Sequence, residues 1–269
     1  MAAVASTEVH DRFWLRPKWV VGHVVALVLV ILFVNLGFWQ LRRLDERQAV
    51  KSTIEARTAL AVEPVSEVVS ATPVEDLSYR RVTASGRYDV AGEVLIRFRS
   101  LRGAPGRHVV TPLVLDDGTA VAVNRGFLPD AAPRAPAPPS GAVDVVGLLL
   151  DDQDRGRFGA TDPAGGRLSE LARIDLGRLQ QQYDRELLPA WLQLEAQDPP
   201  GAGLPEVLPA PETSLGPHLG YAVQWFLFAA VGVVGWPILL RRTAADERPT
   251  PPAPTAEPDP DPERRPVGV

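Results

Sequence analysis

Apolar positions fall into two unbroken blocks, one near each end of the chain, with short alternating runs between them. Residues 19–41 contain no Asp, Glu, Lys or Arg. A helix rising 1.5 Å per residue crosses a hydrocarbon core of roughly 30 Å in about twenty residues, so this block is long enough to span a bilayer. Trp14 and Trp19 lie before it and Trp39 at its end, as an interfacial aromatic belt requires. The second block, residues 219–240, is opened by His218 and closed by Arg241 and Arg242. Pro237 sits in its last turn, where a lost backbone hydrogen bond costs least. Their apolar length and their Trp and Arg flanks set both blocks apart from buried core helices. The first is also too long for a cleaved signal peptide, and residues 38–43 offer no small-x-small site, so an uncleaved signal anchor is expected.

Orientation is read mainly from the second block. No Lys or Arg occurs between Arg185 and Arg241, and two arginines close the block at once. The positive-inside rule places that flank in the cytoplasm. Two spans return the chain to the same side, so residues 1–18 and 241–269 are both expected in the cytoplasm, with residues 42–217 outside.

Between the blocks the pattern changes several times. Residues 42–58 are charged and Ala-rich and continue the first helix outward; Pro64 and Pro73 interrupt the next stretch. Residues 81–88 and 93–99 have strand character, and alternation puts Val94, Ile96 and Phe98 on one face. Residues 108–115 and 120–127 flank Asp116-Asp117-Gly118, a hairpin signal. Residues 129–141 form an Ala/Pro loop and residues 143–150 a further strand. Asp175 can cap a helix reaching residue 187, and residues 190–196 form the last strand. Residues 198–217 are a Pro-rich return to the membrane. The polar, Pro-rich stretch from 243 onward is expected to be disordered. The expected architecture is a membrane protein whose two transmembrane helices, 19–41 and 218–240, flank an extracytoplasmic, mainly antiparallel β domain, barrel or sandwich, with one or two helices.

Composition narrows the chemistry. The chain of 269 residues has no cysteine and a formal net charge of −5, which argues against disulfides, thiolate metal sites and nucleic-acid binding. The one Met is the initiator, so soft ligands for Cu(I) are lacking. Metalloprotease, nucleophile-elbow, phosphate-loop and dinucleotide motifs are absent, and no enzymatic activity is expected. Asp116-Asp117 and Asp151-Asp152 fit a turn and a loop better than an acid/base pair. Four histidines remain, of which His108 is the clear one in the outer domain.

His218 stands at the outer interface. A helix rotates about 100° per residue, so His218 shares a face with Tyr221, Ala222, Trp225, Ala229, Gly232 and Trp236. A His succeeded by aromatic and small residues can ligate a haem iron and pack a flat macrocycle; an interfacial His that caps the helix or bonds headgroups is the plainer alternative. His23 lies at the opposite end and reads as an interfacial polar residue. Asn35 and Gln40 lie at a depth similar to His218 and can hydrogen-bond across the helix pair.

Leu36-Gly37-Phe38-Trp39-Gln40-Leu41-Arg42-Arg43 resembles the L-G-x-W-Q-x-x-R signature of the surfeit-locus-one family. Tyr79-Arg80-Arg81-Val82 with Gly86 and Tyr88 is similar to that family's Tyr-basic-x-Val…Gly-x-aromatic strand. Residues 106–129 resemble its Gly-x-x-Val-x-x-Pro-Leu…Val-Asn-Arg-Gly-Trp-x-Pro hairpin, with Phe127 in the Trp position. Residues 218–226 resemble the motif opening its second span. Residues 151–182 match weakly and carry no clear copy of the family's Trp-containing segment. The resemblance implies an assembly factor for haem-copper cytochrome c oxidase that delivers or inserts haem a, transiently bound, into the catalytic subunit. The oxidase catalytic subunit, and the enzymes of haem a synthesis, are the partners it implies. It maps haem iron binding to His218, with Tyr221 and Trp225 beside it. Asn124, Arg125 and Gly126 are then either a partner or propionate contact or a structural hairpin end with Gly at a special backbone angle; Trp39 and Gln40 are a partner or structural motif. A permanent accessory subunit without its own haem, and an envelope sensor, are the rival readings.

Overall fold

The computed structural model describes residues 13–246 except 154 and 158. The cytoplasmic segment expected at the N-terminus lies largely outside these residues, as does the tail beyond 246. The chain forms two compact units, one containing residues up to Asp45 and from Gly216 onward, the other Glu46–Leu215.

The first unit is a pair of helices. α1 runs from Pro17 to Thr58 and α4 from His218 to Asp246, so the helix persists past Arg242 into the stretch expected to be disordered. Both are long and apolar enough to cross a membrane. Covered positions on α1 recur at 19, 23, 26, 30, 33, 37, 40 and 44, and on α4 at 218, 222, 225, 229, 232 and 236. Alternating steps of four and three are the spacing of a left-handed coiled-coil seam. Small residues let the backbones approach. A Cβ at Gly37 would lie 2.7 Å from the Phe226 ring, and one at Gly22 would lie 2.6 Å from the Trp236 ring. Phe33 stacks on Trp225 with ring centroids 5.6 Å apart. Most of the other apolar side chains of the two apolar blocks are exposed, as lipid contact requires.

The second unit is a small β-barrel. β2 (Arg81–Tyr88), β4 (Ala104–Leu115), β5 (Ala120–Pro129), β6 (Val143–Leu150) and β8 (Trp191–Asp198) close a ring in the order β2-β6-β8-β5-β4-β2. Four of its five pairings are antiparallel; β5–β8 is parallel. β3 (Val94–Leu101) extends the sheet from β4. Two-residue strands β1 (Glu63–Pro64) and β7 (Glu170–Leu171) pair in parallel with β2 and β3. Val82, Leu113, Val121, Val123, Val145, Leu149 and Leu192 fill the interior, joined by Val65 and Val68 of α2 (Val65–Ala71).

A second core, including Ile96, Val110, Ala122, Ile174, Leu179 and Trp191, explains residues 151–187. β5 is consequently buried at every residue but its last, which hides the alternation that a strand with one solvated face would show. The excursion is held by its own polar bonds. Asp175 caps α3 (Leu176–Gln180) by accepting from Arg178 N at 2.8 Å, and Asp152 accepts from Leu176 N at 2.7 Å. The helix stops well short of residue 187 because the Gln180 side chain bonds the carbonyls of Tyr183 and Arg185 and accepts from Leu187 N.

Two further expectations change. Phe98 does not share the face of Val94 and Ile96. A bulge between Ile96 and Arg99 puts Phe98 at φ +60°, 76% exposed, with the Arg97 guanidinium 5.5 Å from its ring. The Pro-rich return is also more than a linker. Glu206 forms a bridge with Phe127 through hydrogen bonds of 2.7 and 2.8 Å, and Gln193 donates to Pro209 O at 3.0 Å.

Candidate functional site

His218 is the first residue of α4, placed where the helix pair's seam ends. Its Nδ1 lies 2.8 Å from Gln40 Oε1. An amide oxygen only accepts, so Nδ1 is the donor in this contact, and in the neutral ring the lone pair then belongs to Nε2. Nε2 makes no hydrogen bond among the described residues. Gly216, at φ +68°, lies beside that edge of the ring; a Cβ there would come within 3.4 Å of Nε2 and Cδ2. Gln40 itself is only 8% exposed.

The rest of the expected face is used for packing. Ala222 and Ala229 are buried against α1, and Trp225 is stacked on Phe33 and edge-on to Phe228. Tyr221 stands outside the seam, 47% exposed, and Trp39 points outward as well. The structure therefore joins His218 to Gln40 and Trp225 to Phe33, and leaves Tyr221 on the exposed surface. Asn35 does not cross the pair; its Nδ2 donates to Ile31 O of its own helix at 2.7 Å. His23 does cross it, accepting from Trp236 Nε1 at Nδ1, 2.8 Å. Sequence reasoning missed this second latch, although both residues lie at seam spacing. Gln40 lies seventeen positions after His23 on α1, about 25 Å along a helix, so the two histidines belong to separate sites. Among the described residues no group of three or more His, Asp or Glu can hold a metal ion.

Asn124, Arg125 and Gly126 form a different kind of centre. Arg125 is 4% exposed, bonds Glu93 Oε2 at 3.1 Å and Pro136 O at 3.0 Å, and lies 5.6 Å over the Tyr88 ring. Burial pulls its pKa below the ordinary arginine value, while the Glu93 carboxylate opposes that shift. Thr111 donates to the same Glu93 oxygen, and burial pushes the Tyr88 phenol up to about 12. Glu93 is the member of this network that sequence patterning did not single out. Asn124 links His108 Nδ1, at 3.3 Å, to Gly126 N, at 3.1 Å. Burial, then the nearby Arg99 charge, lowers the His108 pKa to about 4, so the ring is neutral at physiological pH. Gly126 sits at φ +134° at a bulge in β5, where Arg125 is the extra residue between the pairs Val109–Gly126 and Val110–Asn124. These contacts hold the arginine inside the domain.

The family model of the SURF1 family matches residues 27–230, which include most of α1, the whole barrel and the first part of α4. The chain belongs to the SURF1 family. An uncharacterized SURF1-like protein of Mycobacterium bovis is 29% identical over 231 residues, covering 83% of each chain. A SURF1-like protein of Monosiga brevicollis is 26% identical over 231 residues, covering 80% of this chain and 86% of its own. Surfeit locus protein 1 of Mus musculus is 30% identical over 143 residues, covering 46% of each. Gln40 and His218 both lie within the SURF1 match.

Proposed function

We propose that this SURF1-family protein is a membrane-bound assembly factor for haem-copper cytochrome c oxidase, and that it holds haem a in transit to the catalytic subunit through His218. The observation that carries this reading is the Gln40–His218 contact of 2.8 Å, which in a neutral ring is made by the Nδ1–H tautomer and turns the lone pair of Nε2 away from Gln40. A neutral imidazole so arranged has the chemistry of an axial haem ligand. Haem a held there would supply an iron to be ligated and an extended apolar ring to be packed. This chain supplies the nitrogen, with Gly216 beside it, and the exposed Tyr221 ring nearby. The packed Trp225 face favours a macrocycle outside the seam rather than within it. A single His ligand suits a carrier, because release then requires breaking only one bond.

In this reading both helices cross the cell membrane, both termini are cytoplasmic and the barrel is outside. It is supported by Arg241 and Arg242 beyond the apolar part of α4 and by the absence of Lys and Arg from residues 186–240. Expressing the full chain in membranes that make haem a, and purifying it in mild detergent, tests the ligand. The wild-type chain should carry a haem a spectrum that His218→Ala loses. Colourless wild-type protein from membranes rich in haem a would sink the carrier role and leave a scaffold or accessory subunit.

A further inference from the structure

We infer that Gln40 is the positioning residue of this site: its side-chain carbonyl selects the Nδ1–H tautomer of His218 and so assigns ligation to Nε2. This role rests on the carrier reading above and adds to it the atom that binds and the group that aims it. A neutral imidazole has two tautomers, and only the nitrogen without a proton can bind metal. His218 has one hydrogen-bonding partner among the described residues, the Gln40 oxygen 2.8 Å away. That oxygen is not a loose surface group. Gln40 occupies a seam position on α1, three residues after Gly37, whose missing side chain makes room for Phe226. The His218 ring is thereby tied to a packed face of α1 as well as to its own helix start.

Gln40 therefore does for His218 what outer-shell carboxylates and carbonyls do for metal-binding histidines generally: it fixes orientation and raises ligand basicity. The ordinary alternative is that the bond only glues two helices together. The two roles differ in what they predict for the imidazole. The positioning role makes the tautomer and the electronic character of a bound iron depend on residue 40, whereas glue affects helix pairing alone.

The test uses the full chain in detergent with hemin as probe. In ¹⁵N spectra of labelled histidine, the wild type should show His218 as the Nδ1–H tautomer, and Gln40→Leu should release it toward the mixture of a free imidazole. Hemin affinity should fall about 10- to 100-fold in Gln40→Leu, the usual cost of losing such a partner. Gln40→Glu keeps an acceptor at the same reach. It should retain hemin while lowering the midpoint potential, because a carboxylate gives the imidazole more anionic character and favours ferric iron. An Nε2–H tautomer in the wild type would overturn the inference whatever hemin does. Hemin affinity and potential unchanged in both variants would overturn it while leaving His218 as ligand. Wild-type protein that binds no hemin would overturn the carrier reading as well. Gln40→Glu and the wild-type spectrum decide the matter even where Gln40→Leu fails to fold.

Discussion

Replacing Gly126 by Ala should detach the Pro-rich return segment from the barrel while leaving the strand ring intact. Gly126 has φ +134°, and a Cβ there would lie 2.2 Å from Glu206 O and 2.7 Å from its carbonyl carbon. Both are backbone atoms, so no side-chain rotation relieves the clash. Holding a non-Gly residue in so sparsely populated a region costs of order 1–3 kcal/mol. The segment can escape only by giving up the Phe127–Glu206 bridge, whose two hydrogen bonds measure 2.7 and 2.8 Å; each is worth about 1 kcal/mol net. The combined loss is about 3 kcal/mol, or a fall of roughly 10 °C in the melting temperature of a domain of this size. Thermal unfolding of the detergent-solubilised chain, monitored by circular dichroism, gives the first number. Limited proteolysis gives the second, with new cleavage expected between residues 198 and 215. A variant that melts within about 2 °C of wild type, well inside the expected shift, and is cut no faster would refute the packing account of Gly126.

His108 should make the barrel lose stability in acid. Its folded pKa of about 4 lies below the ordinary 6.5. The unfolded chain therefore takes up the proton first as pH falls. The stabilisation is complete above about pH 6.5 and is progressively lost toward pH 4; roughly two and a half pKa units set a ceiling of about 3 kcal/mol, and the ring's partial exposure brings the expectation nearer to about 2. Denaturant melts at about pH 7.5 and about pH 4.5, on either side of this window, should show the difference in wild type and a smaller one in His108→Gln; equal pH dependence in both would contradict it. Arg125→Lys should cost about 2 kcal/mol despite conserving charge, because a single ammonium cannot serve Glu93, Pro136 O and the Tyr88 face together; a wild-type denaturation midpoint would count against the network.

Much of this architecture is visible in the chain. Strand residues 81–88 and 143–150 match the structure residue for residue because their polar and apolar pattern and flanking turns agree. The hairpin at Asp116-Asp117-Gly118 forms as its chemistry demands, with Asp117 accepting from Thr119 and Gly118 at φ +87°. What alternation could not reveal is burial on two sides. β5 is covered both by the barrel interior and by the excursion, and no single-strand pattern encodes a second covering layer. Phe98 misled for a related reason, since a bulge shifts the period of two by one residue and leaves no mark in the composition. At the helix pair, the angular wheel placed His218 and Trp225 on one face correctly but left open what covers that face. The answer, α1 with Gln40 and Phe33, depends on the register between two segments far apart in the chain, which no local window contains.

The ring order has a kinetic consequence. The strand that lies between β6 and β5 is β8, the last to be synthesised, and its pairing with β5 is parallel. Until residues 191–198 are available, β6 and β5 each keep a bare edge, and β2 and β4 hold the two arms together through three paired positions. Such long-range closure is slow compared with hairpin formation, and unpaired strand edges are where incomplete chains associate with one another. The nascent domain thus spends most of its synthesis as an open sheet, and truncations upstream of Trp191 should fail as a group, by aggregation, rather than yield progressively smaller folded domains.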